Sequence, residues 1–261
     1  MRQRCRVQFC MAFAMTLMLN VSGGASAAAA AQSAAANRTY PDWGGLWEGV
    51  VGTRFTRADG KPNTPPLTPE YAAIYKVATD AAAAGRPVAD PTAACVWPGV
   101  PRLIGTPYPS EILIQDDRVT IIHEYMSLVR RIWTDGRGHP PDLEPSFNGH
   151  SIGRWEGDTL MVETVGLRDD TRIEASGIPH SSQLKVQERI RLIAPDTLEN
   201  EVTLTDPLAY TKPWVTVFQY RRQRDWKILE YVCAENNRNP VSASGETLML
   251  GPDGTPLDKE Q

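Results

Sequence analysis

The sequence predicts a mainly-β chain: an antiparallel β-barrel with one N-terminal helix and a long proline-rich segment packed outside it. Three observations lead there. From Glu111 onward, segments rich in Val, Ile, Thr, Tyr and Trp follow one another at short intervals. Turn residues separate them, most clearly Asp116-Asp117, Glu156-Gly157-Asp158 and Arg224-Asp225-Trp226. No helical pattern intervenes, so successive strands should pair as a meander that closes or folds over.

The chain starts with an export pattern. Arg2, Arg4 and Arg6 precede an apolar run from Val7 to Val21, and Gly23-Gly24-Ala25-Ser26-Ala27 follows. Basic, apolar and small-residue regions in that order describe a signal peptide, residues 1–27, cut after Ala27. The expected location is periplasmic or secreted. The run is too short for a comfortable membrane span, so no stable membrane insertion is expected. Residues 28–40 read as a disordered leader, 41–238 as a single β-rich domain and 239–261 as a polar tail.

Within the domain, Pro41–Val50 is a turn entering a short strand, and residues 57–67 are a polar, proline-rich loop. Thr68-Pro69-Glu70 starts a helix, with Thr at the N-cap and Pro at the first helical position. Tyr71, Ile74, Tyr75 and Ala78 form one apolar stripe, and Gly85 and Pro87 end the helix. Residues 87–110 hold six prolines and form an irregular wrap over the core. Expected strands are Glu111–Gln115, Arg118–Met126, Leu128–Thr134, Ser151–Trp155, Thr159–Val165, Gln183–Ile193, Thr197–Thr205, Trp214–Arg222 and Lys227–Ala234.

Removing the signal takes three of the 27 basic residues and leaves all 31 acidic ones, a net charge of −7. A nucleic-acid partner is therefore not expected. Cys5 and Cys10 lie in the signal, leaving Cys95 and Cys233. An even count in an exported chain suggests one disulfide, able to contribute about 3–5 kcal/mol across so long a loop.

Strand parity marks where polar groups break an apolar face. Glu188 shares a face with Val186, Ile190 and Leu192, and Glu230 with Ile228, Val232 and Ala234. His123 lies with Val119, Ile121 and Tyr125; Arg130 with Leu128 and Ile132; Arg131 with Val129 and Trp133; Glu163 with Met161 and Val165. A charge left alone in a core is costly, so these groups should meet one another or face a wet cavity. Glu188, Glu230 and His123 are the candidate catalytic groups, because carboxylates in apolar pockets can serve as general acids or bases. Arg130, Arg131, Glu163, Trp133 and Tyr125 are the candidate ligand-binding residues. The structural alternative is a buried Arg–Glu network that fixes strand register.

Gly149-His150-Ser151-Ile152-Gly153 matches a nucleophile elbow, but a strand and turn follow where the elbow needs a helix, so Ser151 is not expected to be a nucleophile. His123, His139, His150 and His180 show no recognised metal-ligand spacing, so no metal or other cofactor is expected. Trp47-Glu48-Gly49 and Trp155-Glu156-Gly157 echo each other through a shared strand-to-turn habit rather than a repeat.

Two resemblances follow from motifs. Gly45-Leu46-Trp47 resembles the G-x-W of lipocalin-type barrels, in which the tryptophan packs across the closed end, and implies a calycin-like fold. The stretch from Pro101 to Asn237 resembles a widespread family of exported, largely uncharacterised bacterial proteins. It does so through Pro101-Arg102-Leu103, Arg130-Arg131-Ile132, Thr134-Asp135-Gly136-Arg137, His139-Pro140 and, above all, the segment Gly149–Leu160. Further matches are Pro179-His180-Ser181, Glu188-Arg189, Asp206-Pro207, Lys212-Pro213-Trp214, Tyr231-Val232-Cys233 and Glu235-Asn236. This resemblance implies an exported β-rich protein and carries over no catalytic residues.

The expected function is to bind a small apolar or amphipathic molecule, aromatic ones included, in an interior pocket. The alternatives are a cofactor-free dehydratase, isomerase or hydrolase acting on such a molecule, and an envelope structural protein. No pattern in the chain specifies an oligomeric state.

Overall fold

The computed structural model describes residues 40–50, 63–85 and 90–236. The expected signal peptide, most of the leader and the polar tail lie outside them. Among the described residues the chain is mainly β, and nine strands close into a barrel in sequence order. They are β1 (Leu46–Gly49), β2 (Ser110–Ile114), β3 (Arg118–His123), β4 (Val129–Trp133), β5 (His150–Glu156), β6 (Thr159–Val165), β7 (Lys185–Ala194), β8 (Thr197–Thr205) and β9 (Trp214–Gln223).

The ring is not wholly antiparallel. Going once around a closed sheet, strand direction must reverse an even number of times, so nine strands need at least one parallel neighbour pair. That pair is β4–β5, joined only through Ile132↔Ser151 and Trp133↔Ile152. A parallel pair needs a long return path, and residues 134–149 supply it. The hydrophobic pattern reveals strands but not direction, which is why an antiparallel meander was the natural expectation.

The expected strand Lys227–Ala234 is absent. The segment is irregular until a short helix, Cys233–Asn236. β1 explains this, because it pairs with β2 along one edge and β9 along the other. No sheet edge remains for a tenth strand. The C-terminal segment instead crosses one end of the barrel. Leu229 N–H donates to Glu124 Oε2 (2.9 Å), Ser127 Oγ donates to the Tyr231 carbonyl (3.2 Å), and Cys233 forms a disulfide with Cys95.

Alternation along the strands stratifies the interior. One apolar cluster holds Trp43, Trp47, Ile112, Val119, Ile121, Ile132, Leu160, Val162, Ile190 and Leu198. A second holds Val100, Ile104, Val186, Val202, Leu204, Trp214 and Phe218 with residues from the long connections. Glu188 stands on β7 between Val186 of one cluster and Ile190 of the other; Asn200 stands on β8 between Leu198 and Val202. A polar belt therefore crosses the middle of the core.

Helix α1 (Pro69–Ala83) begins where Thr68-Pro69-Glu70 indicated. Thr68 does not cap it with its side chain; its hydroxyl donates to the Leu208 carbonyl instead (2.9 Å). No α1 residue is fully buried, but Tyr71 and Tyr75 pack against the second cluster. Ile74, expected on the same stripe, is exposed, so the contact is narrower than the periodicity implied.

The Gly-x-Ser-x-Gly match has a structural reading. Ser151 lies within β5 and points into the barrel, with no elbow and no helix after it. Gly149 has φ +59°, and a Cβ there would sit 2.5 Å from the Val165 carbonyl oxygen. At Gly153 a Cβ would meet Ile132 Cγ2 at 2.9 Å. Both glycines let the chain pass close to its neighbours. Gly149→Ala combines left-handed strain with a backbone clash, and a loss of about 2 kcal/mol or more in unfolding free energy is expected. Urea denaturation measures it, and a loss below 0.5 kcal/mol would contradict the packing argument.

Candidate functional site

The belt is centred on Arg130 and Glu188, which are 2% and 1% exposed. Arg130 Nη2 donates to Glu188 Oε1 (2.5 Å) and Nη1 to Oε2 (3.1 Å), a two-point fork. Arg130 also donates to Thr164 Oγ1 (2.9 Å) and Ser151 Oγ (3.2 Å), which lie 2.8 Å from each other as facing residues of β6 and β5. Asn200 Nδ2 donates to Glu188 Oε2 (2.8 Å). The charge pair is thus neutralised and its atoms are engaged, as burial in a core demands. Of the expected polar cluster, Arg130, Glu188 and His123 converge on the belt.

His123 on β3 faces Ser110 on β2, with Nδ1 2.8 Å from Ser110 Oγ. Burial, with the Arg130 charge beside it, pushes its pKa down from 6.5 to about 3. The imidazole is therefore neutral. Its Nε2 and Asn200 Oδ1 have no hydrogen-bond partner among the described residues. Both side chains line the lumen cavity, together with Trp47, Ile104, Ile112, Ile121, Ile190, Leu198 and Tyr220. This cavity is ≈ 40 Å³, against roughly 150 Å³ for an apolar cavity that holds benzene. It has space for a few waters and no aromatic ring.

The other expected residues lie elsewhere. Glu230 is exposed on the C-terminal segment, because the strand that would have turned it inward does not form. Arg131 is exposed, and Trp133 lies on the same outer face beneath Arg137 (3.8 Å to the ring centroid) and Arg118 (5.5 Å). Glu163 also faces outward, 3.2 Å from Lys185 Nζ and 3.6 Å from His139 Nε2. In each pair of alternatives the inward parity carries the larger share of aliphatic neighbours, and these three residues have the outward one. With Glu230 outside and both Glu188 oxygens engaged, the acid–base arrangement expected of two interior carboxylates is not assembled.

Tyr125 has left the His123 face, because β3 ends at His123 and a short 3₁₀ turn, Tyr125–Ser127, follows. It stands at the end of the barrel in a groove of ≈ 630 Å³ lined also by Tyr108, Tyr231, Phe218, Arg102 and Glu174. Tyr108 stacks on Tyr125 (4.8 Å between centroids, 17° between planes), and Tyr231 meets both edge-on. Burial and the two neighbouring tyrosines raise the Tyr231 pKa, so its hydroxyl stays protonated. Arg102 is committed to Asp90 through two bonds (2.7 and 2.6 Å).

Asn200 and Thr164 were missed by sequence reasoning, although the parity test that found Glu188 applies to both. Asn200 interrupts Leu198, Val202 and Leu204; Thr164 follows Leu160 and Val162. The groove residues come from loops and carry no periodic signal.

Trp47 of the G-x-W segment is fully buried, donates its indole N–H to the Trp43 carbonyl (3.0 Å), and lies under the Arg222 guanidinium (4.7 Å). No known family profile matches the chain, and no curated protein does. Among solved structures it is similar to an abundant heat-soluble (SAHS) protein from Ramazzottius varieornatus, with a TM-score of 0.34 and 12% identity over 71% of this chain and 98% of that one.

Proposed function

We propose that this barrel protein is exported and binds a small amphipathic molecule, aromatic in its apolar part, in the tyrosine-walled groove at the end of the barrel. The observation that carries this reading is the convergence of Tyr108, Tyr125 and Tyr231 on a space of ≈ 630 Å³. That volume is within the usual range for ligand sites, about 300–1,000 Å³. The three rings already pack on one another, and a guest ring that joins this cluster gains about 0.5–1.5 kcal/mol per aromatic pair beyond buried area. Arg102 is already paired with Asp90, and Glu174 brings an acceptor to the wall, so a neutral ligand suits the groove better than a carboxylate.

Export is supported by the signal-like residues 1–27, by the Cys95–Cys233 disulfide and by the resemblance of Gly149–Leu160 to exported bacterial proteins. Cell fractionation with N-terminal sequencing tests it; a cytoplasmic protein that retains Met1 would refute it.

Binding is tested by ligand-observed NMR with phenol and benzyl alcohol as probes. Saturation transfer to the probe ring is expected for the wild type, and Tyr125→Ala is expected to weaken affinity at least tenfold. Probe binding that Tyr125→Ala leaves unchanged would remove the groove as the site, and no binding at millimolar probe would remove the function.

A further inference from the structure

The groove does not stop at the tyrosines. A narrow neck of ≈ 10 Å³ lies beyond it and shares Gly105, Thr106, Pro107 and Phe218 with the groove. The same neck shares Ile104 and Tyr220 with the ≈ 40 Å³ lumen cavity. The three spaces therefore stand in series and are separated by shared walls. Between neck and lumen, Tyr220 Oη donates to the Ile104 carbonyl (2.7 Å). Tyr220 projects from β9, whereas Ile104 belongs to the 3₁₀ turn Arg102–Gly105, which is in no sheet. Parting these two groups disturbs no strand ladder.

The inner end has defined chemistry. Asn200 gives its amide N–H to Glu188, so its Oδ1 is fixed as an acceptor. His123 is neutral, and because the Ser110 hydroxyl can donate or accept at Nδ1, Nε2 can carry the proton. One acceptor and one available donor on a single cavity match a hydroxyl group, which both donates and accepts. A carboxylate is disfavoured, because the Arg130 charge is already neutralised by Glu188, whose own carboxylate lines the same cavity and would repel it. The Arg130–Glu188 pair and Ser110 also line this end, engaged with each other and with His123 respectively, and the apolar walls Trp47, Ile112, Ile121, Ile190 and Leu198 admit only a slim stem.

We infer that groove, neck and lumen form one channel latched by Tyr220 and Ile104, and that it takes an elongated neutral alcohol with its hydroxyl between Asn200 and His123. This inference rests on the groove being a ligand site and extends that reading to the ligand's inner half.

The test uses ω-phenylalkanols of increasing chain length, with phenol as the groove-only probe and the matching phenylalkanes and phenylalkanoates as controls. Calorimetry should show affinity rising at least tenfold once the chain passes the neck, over both alkane and carboxylate of equal length. Tyr220→Phe, which keeps the ring and removes the latch, should raise the association rate of the long alcohols about tenfold and leave phenol unchanged. Ile190→Phe, which fills the lumen, should abolish the preference for the hydroxyl while phenol still binds. Thermal melts report whether either variant folds. If phenol binds but long alcohols gain nothing over alkanes, or Tyr220→Phe alters neither rate nor affinity, the channel is refuted and the groove stands. If no probe binds, both fall.

Discussion

Arg130→Met is expected to lower the free energy of unfolding by about 3–5 kcal/mol, because it leaves the Glu188 carboxylate buried beside Asn200 alone. Urea denaturation followed by circular dichroism measures this. The double variant Arg130→Met/Glu188→Leu should recover most of the loss and could exceed the wild type by about 1–4 kcal/mol, since a well-packed apolar pair needs no desolvation of charge. Ser151 and Thr164 keep their mutual hydrogen bond in either background. The cycle also separates two reasons for keeping the pair. If the double variant is stable and binds the groove probes normally, the ion pair acts on strand register alone. An Arg130→Met loss below 1 kcal/mol would mean that pairing is not what holds Glu188 in the core.

Stability should also fall on acidification in a window set by His123. In the unfolded chain its pKa is near 6.5; in the barrel, burial and Arg130 hold it at about 3. Between these values the unfolded chain binds a proton that the native protein refuses. Stability contributed by the neutral imidazole is complete above pH 6.5 and is lost as pH drops toward 3. The slope approaches about 1.4 kcal/mol per pH unit for one such group. His180 is lowered as well, chiefly by burial, and adds a term of the same sign. Denaturation at a series of pH values from 4 to 7 should show the steeper fall in wild type than in His123→Gln, the slopes differing by about one proton. Equal slopes would show that His123 is protonated in the folded state.

Much of this architecture was legible because alternation is a strong signal wherever one face of a strand is buried. Thr159–Val165 has the bounds expected of it, and the parity of Val186, Glu188 and Ile190 placed the carboxylate inside. The same local signal could not show that β1 would occupy both sheet edges, so Lys227–Ala234 looked like a strand and Glu230 like an interior residue. It could not show direction either, so the parallel β4–β5 pair went unseen. Tyr108, Tyr125 and Tyr231 meet only after the chain has closed. Tyr231 reaches the other two because Cys233, two residues on, is tied to Cys95.

The short β4–β5 seam bears on how the core tolerates a full charge. A recess of ≈ 270 Å³ opens beside it, lined by Val129, Arg130, Arg131, Asn148, His150 and Ser151. Arg130 lines this recess in the side wall as well as the lumen cavity. Solvent dipoles in that recess can orient in the field of the guanidinium and partly replace its lost hydration shell. The Born penalty for an ion in a medium of low permittivity falls steeply when a high-permittivity boundary comes this near. Nine strands cannot close without a parallel junction, and placing that junction at Arg130 makes the topological irregularity a dielectric window for the buried ion pair.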